Sequence, residues 1–252
     1  MPHEVFLTAV VKDGDALKAR AILAGITEMK ERHHYLLVRH MERDPSNRDP
    51  KILNKLKEFQ KERSPNAARW LEFQQTLTKQ EYVVREHVDI TQEVSSAGND
   101  GEISLTFHPH KVRLLRWSDI PDPPGKAFPE FITQRRILEI ADPRLGKILS
   151  DIKFTPSSIS IEESYKWWQS NLEYALTRIF PISPESAPTM ATLKPVAPLW
   201  FLYVRVQNDS SPDRMKEGHA ALSAVRERLL GVFDFKAFDR RVHDTRVMQP
   251  RP

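Results

Sequence analysis

Chemistry on this 252-residue chain would fall first to its glutamates. Glu81, Glu86, Glu102, Glu139, Glu162 and Glu173 lie on or beside segments that read as strands, and Glu4 opens the first of them. Carboxylates that project from several strands into a barrel can hold a divalent cation, with inward Lys and Arg to hold the phosphates of a triphosphate. The first-strand pattern for that chemistry is Glu-x-Glu-x-Lys. Here Glu4-Val5-Phe6-Leu7-Thr8 places an apolar and a hydroxyl residue where the second acid and the lysine belong, and no later strand alternates acid, acid, lysine. A metal-dependent, tunnel-type phosphohydrolase acting on RNA or nucleoside triphosphates therefore stands only as the alternative reading. The expected lumen is empty of reactive groups.

The other chemically capable residues lead no further. His108-Pro109-His110 is the best metal candidate by type, but two histidines around a proline sit in a turn, and zinc needs three or four ligands. His33 and His34 point to opposite faces of a strand and cannot share an ion. The absence of cysteine removes a thiol nucleophile, a thiolate zinc site and a disulfide scaffold. With eight glycines and neither GxxxxGK nor GxGxxG, the usual phosphate-cradling loops are excluded, and GxSxG, HExxH and EF-hand patterns are missing as well. No catalytic residue, metal or cofactor is expected.

Charge is nearly balanced, with 38 Lys and Arg against 34 Asp and Glu. Basic residues alternate with acids, as in KILNKLKEFQKER, so no single-sign face marks a nucleic-acid site. No segment approaches the roughly 18 apolar residues that span a bilayer, and MPHEVFLTAVVKD lacks the features of a signal peptide. These features predict a cytosolic or nuclear protein without a membrane partner.

Which elements would carry these groups? The opening reads as strand, helix, strand: HEVFLTAVV has apolar residues on both faces, Asp15 can cap ALKARAILAGI, and HYLLVR returns as a strand. A charged helical insertion follows at about 44–79. Its stripes are Ile52, Leu56 and Phe59, then Trp70, Phe73 and Leu77 behind a Ser64-Pro65 start, and their narrowness leaves room for mobility. From EYVVREHVDI onward the pattern is mostly β. It runs through ISLTF after an Asn99-Asp100-Gly101 tip, KVRLLRW, ITQRRILEI, a hairpin turning at Ser170-Asn171, and LWFLYVRVQN. Proline-rich loops separate several of these strands. Ser211 and Pro212 start a helix with Met215, Leu222, Val225 and Leu229 on its buried face. Gly231 closes it, and VFDFKAFDRRVHDTRV reads as a last strand. Nine or ten mostly hairpin-connected strands predict an α+β fold. It is a single domain over 1–252, mainly an antiparallel β-barrel with a few external helices.

Two groups remain for binding. Trp167 and Trp168 on one strand, and Trp200 and Tyr203 on another, must send some aromatic rings outward, where helices or another protein must cover them. Trp168, Trp200 and Tyr203 are the aromatic candidates for a partner surface, and Trp168→Ala or Trp200→Ala is expected to weaken a complex more than the fold. The run Asp239-Arg240 and Asp244-Thr245-Arg246 could hold a partner by charge-assisted bonds or cross-link strands at the barrel rim. Mutual neutralisation favours the second. Asp239, Arg240, Asp244 and Arg246 complete the candidate set.

The ending MKEGHAALSAVRERLLGVFDFKAFDRRVHDTRV, with Leu230-Gly231-Val232, Asp239-Arg240 and Asp244-Thr245-Arg246-Val247, resembles that of subunit 18 of the Mediator complex, fungal type. HEVFLTAVV, ILAGITEM and ERHHYLLVRH at the start are similar too, as are RWLEFQQTL with KQEYVVREHVDI, ITQRRILEI, and the SYKWWQSNLEYALTRIF hairpin. The resemblance implies a barrel shaped like the capping-enzyme RNA triphosphatases but without their catalytic glutamates. It further implies a nuclear, non-enzymatic scaffold of the Mediator head module, a coactivator of RNA polymerase II transcription. The implied partners are Mediator subunit 20 as a heterodimer, a C-terminal helix of subunit 8, other head-module subunits and the polymerase machinery.

Overall fold

The computed structural model describes residues 2–44, 50–60, 66–98, 100–103, 111–123, 128–183, 188–208 and 211–247. Eight antiparallel strands among them close into a barrel. These are β1 (His3–Lys12), β2 (Arg32–Arg43), β3 (Val84–Asp89), β4 (Arg113–Ser118), β5 (Thr133–Ala141), β6 (Phe154–Gln169), β7 (Leu172–Ile182) and β8 (Leu199–Asn208). Around the barrel the order is β1-β5-β4-β3-β2-β6-β7-β8, and β8 pairs back onto β1 with Leu7 opposite Val204. Among the described residues each barrel strand has a paired neighbour on both sides, so none is an edge strand.

The apolar face of this barrel is its outside. On β1, Val5, Leu7, Ala9 and Val11 point outward, whereas Glu4 and Phe6 point into the lumen. Two helices lie over that outer face: α1 (Ala16–Thr27), through Ala19 and Leu23, and the later α6 (Pro212–Arg228), through Leu222 and Val225. A second outer cluster forms where α2 (Leu56–Gln60) and α3 (Ala67–Lys79) bring Leu56, Trp70, Phe73 and Leu77 onto Leu115, Trp117, Leu138 and Ile140. The helices of the charged insertion thus seat their stripes on β4 and β5. Its Ser64-Pro65 start lies outside the described residues.

Two short helices were not foreseen. The first, α4 (Thr91–Ala97), follows Asp89, whose carboxylate accepts the Thr91 amide at 2.8 Å. The second, α5 (Leu145–Asp151), buries Leu145, Ile148 and Leu149. Two turns are too short to display a helical period against background.

Other expectations met the structure more closely. β6 and β7 join through Ser170-Asn171, with Ser170 at φ 55°. Ser211 stands at the N-cap of α6 with Pro212 first in the helix, and Gly231 adopts φ 80° just beyond its end. Asp15 occupies the N-cap of α1 but makes no side-chain bond there. The ISLTF segment lies almost wholly outside the described residues, so the expected strand there stands neither way.

The largest difference is at the end. Residues 232–247 form no strand. They run irregularly into a 3-10 turn (Arg240–His243) and end in a single bridge between Arg246 and Tyr82. The alternation of VFDFKAF has another cause: Phe233 and Phe235 are buried in the α1/α6 cluster, while Phe238 packs edge-on to Phe201 at 6.1 Å.

Candidate functional site

With its apolar residues spent on the helices, each strand turns polar side chains inward. The lumen, about 590 Å³ in volume, is lined by charged side chains set among apolar ones such as Phe6, Leu36, Leu114 and Ile179. This corrects the expectation of an interior without reactive groups. Glu4 on β1 is only 2% exposed. It accepts from Arg116 of β4 at 2.6 Å, from Arg135 of β5 at 2.9 Å and from Arg205 of β8 at 3.2 Å. Burial would raise its carboxyl pKa, but the three guanidiniums outweigh burial and hold it well below the usual range. Arg116 also reaches Glu139 at 2.6 Å, and Arg205 reaches Glu173 at 2.8 Å, with Lys166 3.8 Å from the same carboxylate. One continuous chain of ion pairs thus runs from β5 to β6 through Glu4.

Three of the six glutamates singled out by spacing, Glu139, Glu162 and Glu173, sit on inward-facing strand positions. The others do not join them. Glu81 pairs with Arg43, Glu86 lies on the outer face with Arg113 at 3.2 Å, and Glu102 sits in a bridge to Thr189. Among the described residues, no three His, Asp or Glu side chains gather as a cation site. His108 and His110 lie outside the described residues. His33 bonds Glu163 at 2.9 Å on the outer face, while His34 belongs to the opposite face of the strand.

Spacing alone missed the arginines. Arg116 stands between the outward Leu115 and Trp117 and Arg205 between Val204 and Val206, and that parity was the available signal; Arg135, between Gln134 and Arg136, carried none. Arg85 is pushed down to about 10, first by desolvation and then by the neighbouring Arg116 and Arg135. His87 is held well below the ordinary imidazole range by burial, then by Arg85 and Arg116.

The C-terminal residues cross one mouth of this lumen as a strap. Lys236 donates its amide to the Thr8 carbonyl at 2.9 Å, and the Thr8 hydroxyl donates to the Lys236 carbonyl at 2.6 Å. On the far side, the Val83 amide donates to the Thr245 carbonyl at 2.7 Å and the Thr245 hydroxyl to the Ser118 carbonyl at 2.9 Å. Strand β1 is paired to β5 only from His3 to Phe6. The strap satisfies backbone groups beyond that point, as buried amides require.

Of the polar candidates, Asp239 folds onto Arg241 rather than Arg240, accepting both its amide and its guanidinium. Asp244 does the same to Arg246. These pairs are local to the strap, whose backbone and Thr245 make the tie to the rim. Arg240 is half-buried.

The aromatic candidates divide. Trp200 is outward but 3% exposed, enclosed by its own chain. Its indole donates to Asp13 at 2.8 Å, and the Arg178 guanidinium lies 4.4 Å from its ring. Tyr203 lines the lumen, and Trp168 shares the inward face of β6, half-buried, with Arg32 at 5.1 Å. No outward-facing aromatic patch joins Trp168 to Trp200. Helices and loops of the same chain already supply the cover that an outward ring needs.

His243, in the strap, packs edge-on to Phe6 at 5.9 Å and is pushed down to about 4 by burial, then by Arg135 and Arg85. It is therefore neutral in the closed strap, while an exposed histidine titrates near 6.5. The open form takes up the proton first, so the strap's hold is complete above pH 6.5 and weakens as pH falls toward 4. Hydrogen exchange of the Val83 amide, corrected for its intrinsic pH dependence, is expected to be faster at pH 5 than at pH 7. His243→Gln should abolish that difference.

A family model described as Med18 protein matches residues 3–246. Among solved structures, the fold is similar to a chain of the Schizosaccharomyces pombe Mediator head module, at TM-score 0.62 and 12% identity over 93% of this chain and 98% of that one. The PH1819 protein from Pyrococcus horikoshii OT3 scores 0.46 at 12% identity over 94% of both chains. The Schizosaccharomyces pombe Pct1 RNA triphosphatase, in complex with the Spt5 CTD, scores 0.34 at 10% identity over 91% of this chain and 82% of that one. The last two scores are too low to carry an argument. A search of curated proteins found no match.

Proposed function

The chain belongs to the Med18 family of Mediator subunits, and we propose that it is a non-enzymatic scaffold of the head module that helps regulate RNA polymerase II transcription in the nucleus. The family match over 3–246 carries this reading. The lumen is consistent with it. A carboxylate must have free lone pairs to ligate a cation, and Glu4 spends its own on three arginines. For that reason the tunnel phosphohydrolase is the weaker reading. Release of phosphate from a triphosphate, dependent on manganese or magnesium, would revive it.

The proposed partners are Mediator subunit 20, as a heterodimer, and a C-terminal helix of subunit 8. The surface proposed for them is the strap. Val242 is 74% exposed there, beside Asp239, Arg240, Asp244 and Arg246. Trp168 is a second proposed contact, at the mouth opposite the strap; Tyr203 backs the strap through Phe6 and His243, and Trp200 holds the outer wall. An apolar side chain rimmed by charges suits the stripe of a partner helix.

The test is co-expression of the full chain with its organism's subunits 8 and 20. A stable, more soluble complex is expected, and a monodisperse chain with affinity for neither would end the proposal. Val242→Glu, at the most exposed apolar position of the strap, should weaken the complex about tenfold while leaving the melting temperature in place.

A further inference from the structure

From the strands, five cations face the lumen (Arg85, Arg116, Arg135, Lys166 and Arg205) against four acids (Glu4, Glu139, Glu162 and Glu173), and the strap adds the Asp244–Arg246 pair. Arg116, Arg135, Lys166 and Arg205 each lie within 4 Å of a carboxylate. Arg85 is different. Among the described residues it makes no ion pair or hydrogen bond, and its cross-strand neighbours are Arg116 on β4 and His40 on β2. Two residues along the same face, the buried Nε2 of His87 also has no partner. Like charges placed directly opposite on neighbouring strands destabilise a sheet. A guanidinium left without a counterion inside a barrel costs stability as well. What could use such a place is an anion.

We propose that the lumen binds a small phosphate-class oxyanion, held by Arg85 with Arg116. The planar fork of arginine matches the oxygens of a phosphoryl group two at a time. Arg85 offers its whole fork, while Arg116, whose Nη1 and Nη2 already reach Glu139 and Glu4, adds positive charge from the facing strand. A volume of about 590 Å³ lies within the range of small-molecule pockets, larger than inorganic phosphate needs and large enough for pyrophosphate or a phosphomonoester. The fixed negative charge of Glu4 does not compete, because three arginines already neutralise it. Among the described residues Arg85 is the one of these cations that no carboxylate contacts, and Glu162, itself without a cation within 4 Å, acts on it only at longer range. The anion would remove the repulsion between Arg85 and Arg116, so binding should favour the folded chain. This site requires no metal and no bond cleavage, and it stands or falls independently of partner capture.

The experiment uses the full chain in EDTA, at ionic strength held constant with sodium chloride. Phosphate, pyrophosphate and a phosphomonoester such as glycerol 3-phosphate are titrated separately, read by calorimetry and by melting temperature. Saturable one-to-one binding with a concentration-dependent rise in melting temperature is expected for at least one of them, and the ranking identifies the source of the phosphoryl group. Arg85→Gln relieves the facing Arg116 but takes from Glu162 the cation that acts on it, so the melting temperature of the unliganded chain should change little. The variant should weaken the anion by about tenfold or more. Lys18→Gln, on the exposed face of α1, should leave binding unchanged. Arg85→Lys, which keeps the charge and loses the fork, should bind with intermediate affinity and serves if the glutamine variant does not fold. Absence of saturable binding to all three anions overturns the proposal, as does undiminished binding by the Arg85 variants.

Discussion

Glu4→Gln is expected to destabilise the protein by about 3–5 kcal/mol, the usual cost of removing one member of a buried ion-pair network. Three guanidiniums converge on this single carboxylate from β4, β5 and β8. Glutamine keeps the shape but offers one neutral acceptor and a donor that faces other donors. Arg116 and Arg205 would retain Glu139 and Glu173, whereas Arg135 would keep, among the described residues, its contact with the Phe6 ring at 4.9 Å. Urea unfolding followed by tryptophan fluorescence measures the loss, and a change below about 1 kcal/mol would refute the network's importance. The pH dependence has a definite sign. The carboxyl is depressed in the folded state, so its contribution is present above its unfolded pKa of roughly 4.3 and vanishes only as pH falls through the folded value. The variant should lose this acid-sensitive component.

Trp200→Ala should cost about 3–5 kcal/mol, in the range of large aromatic truncations in cores. The ring is 3% exposed, 5.5 Å from the Tyr165 ring and under the Arg178 guanidinium, and its indole nitrogen holds Asp13 in the turn between β1 and α1. Trp200→Phe would preserve most of the packing and remove only the bond to Asp13, for about 1 kcal/mol. Calorimetric melting of the two variants separates these contributions. The fold is thus the first casualty of truncation at this position, the reverse of what an exposed partner contact would show. Trp168, half-buried at the mouth, remains the better probe of binding.

The elements legible from the chain were those whose local chemistry and tertiary role coincide. β1 is apolar on both faces and buried along most of its length, α6 has Ser211, Pro212 and a buried stripe, and a two-residue turn joins β6 to β7. Two features escaped for physical reasons. Period-two alternation reports extended backbone, not ladder pairing, so Phe233, Phe235 and Phe238 read as a strand while serving two separate packing sites. Hydrophobicity also shows which face of a strand is covered, not which face is concave. Helices jacket this barrel, so Leu115 and Trp117 point out while Leu114 and Arg116 point in. An interior read as empty was in fact the seat of the charged network. Parity on β4 and β8 contained that answer, once the apolar side was recognised as the outer one.

The strap has a consequence for the order of events as the polypeptide is made. Thr8 and Lys236 hold each other across 228 residues of sequence, and β1 finds its two neighbours only in β5 and β8. Contacts of such long range form late, since the entropy of so large a loop must be overcome first. On the ribosome, the first strand emerges long before anything that can pair with it. Helix α1, next along the chain, can shelter Val5, Leu7 and Val11 early, but the strand's ladder groups wait for β5, about halfway along, and for β8, in the final fifth or so of the chain.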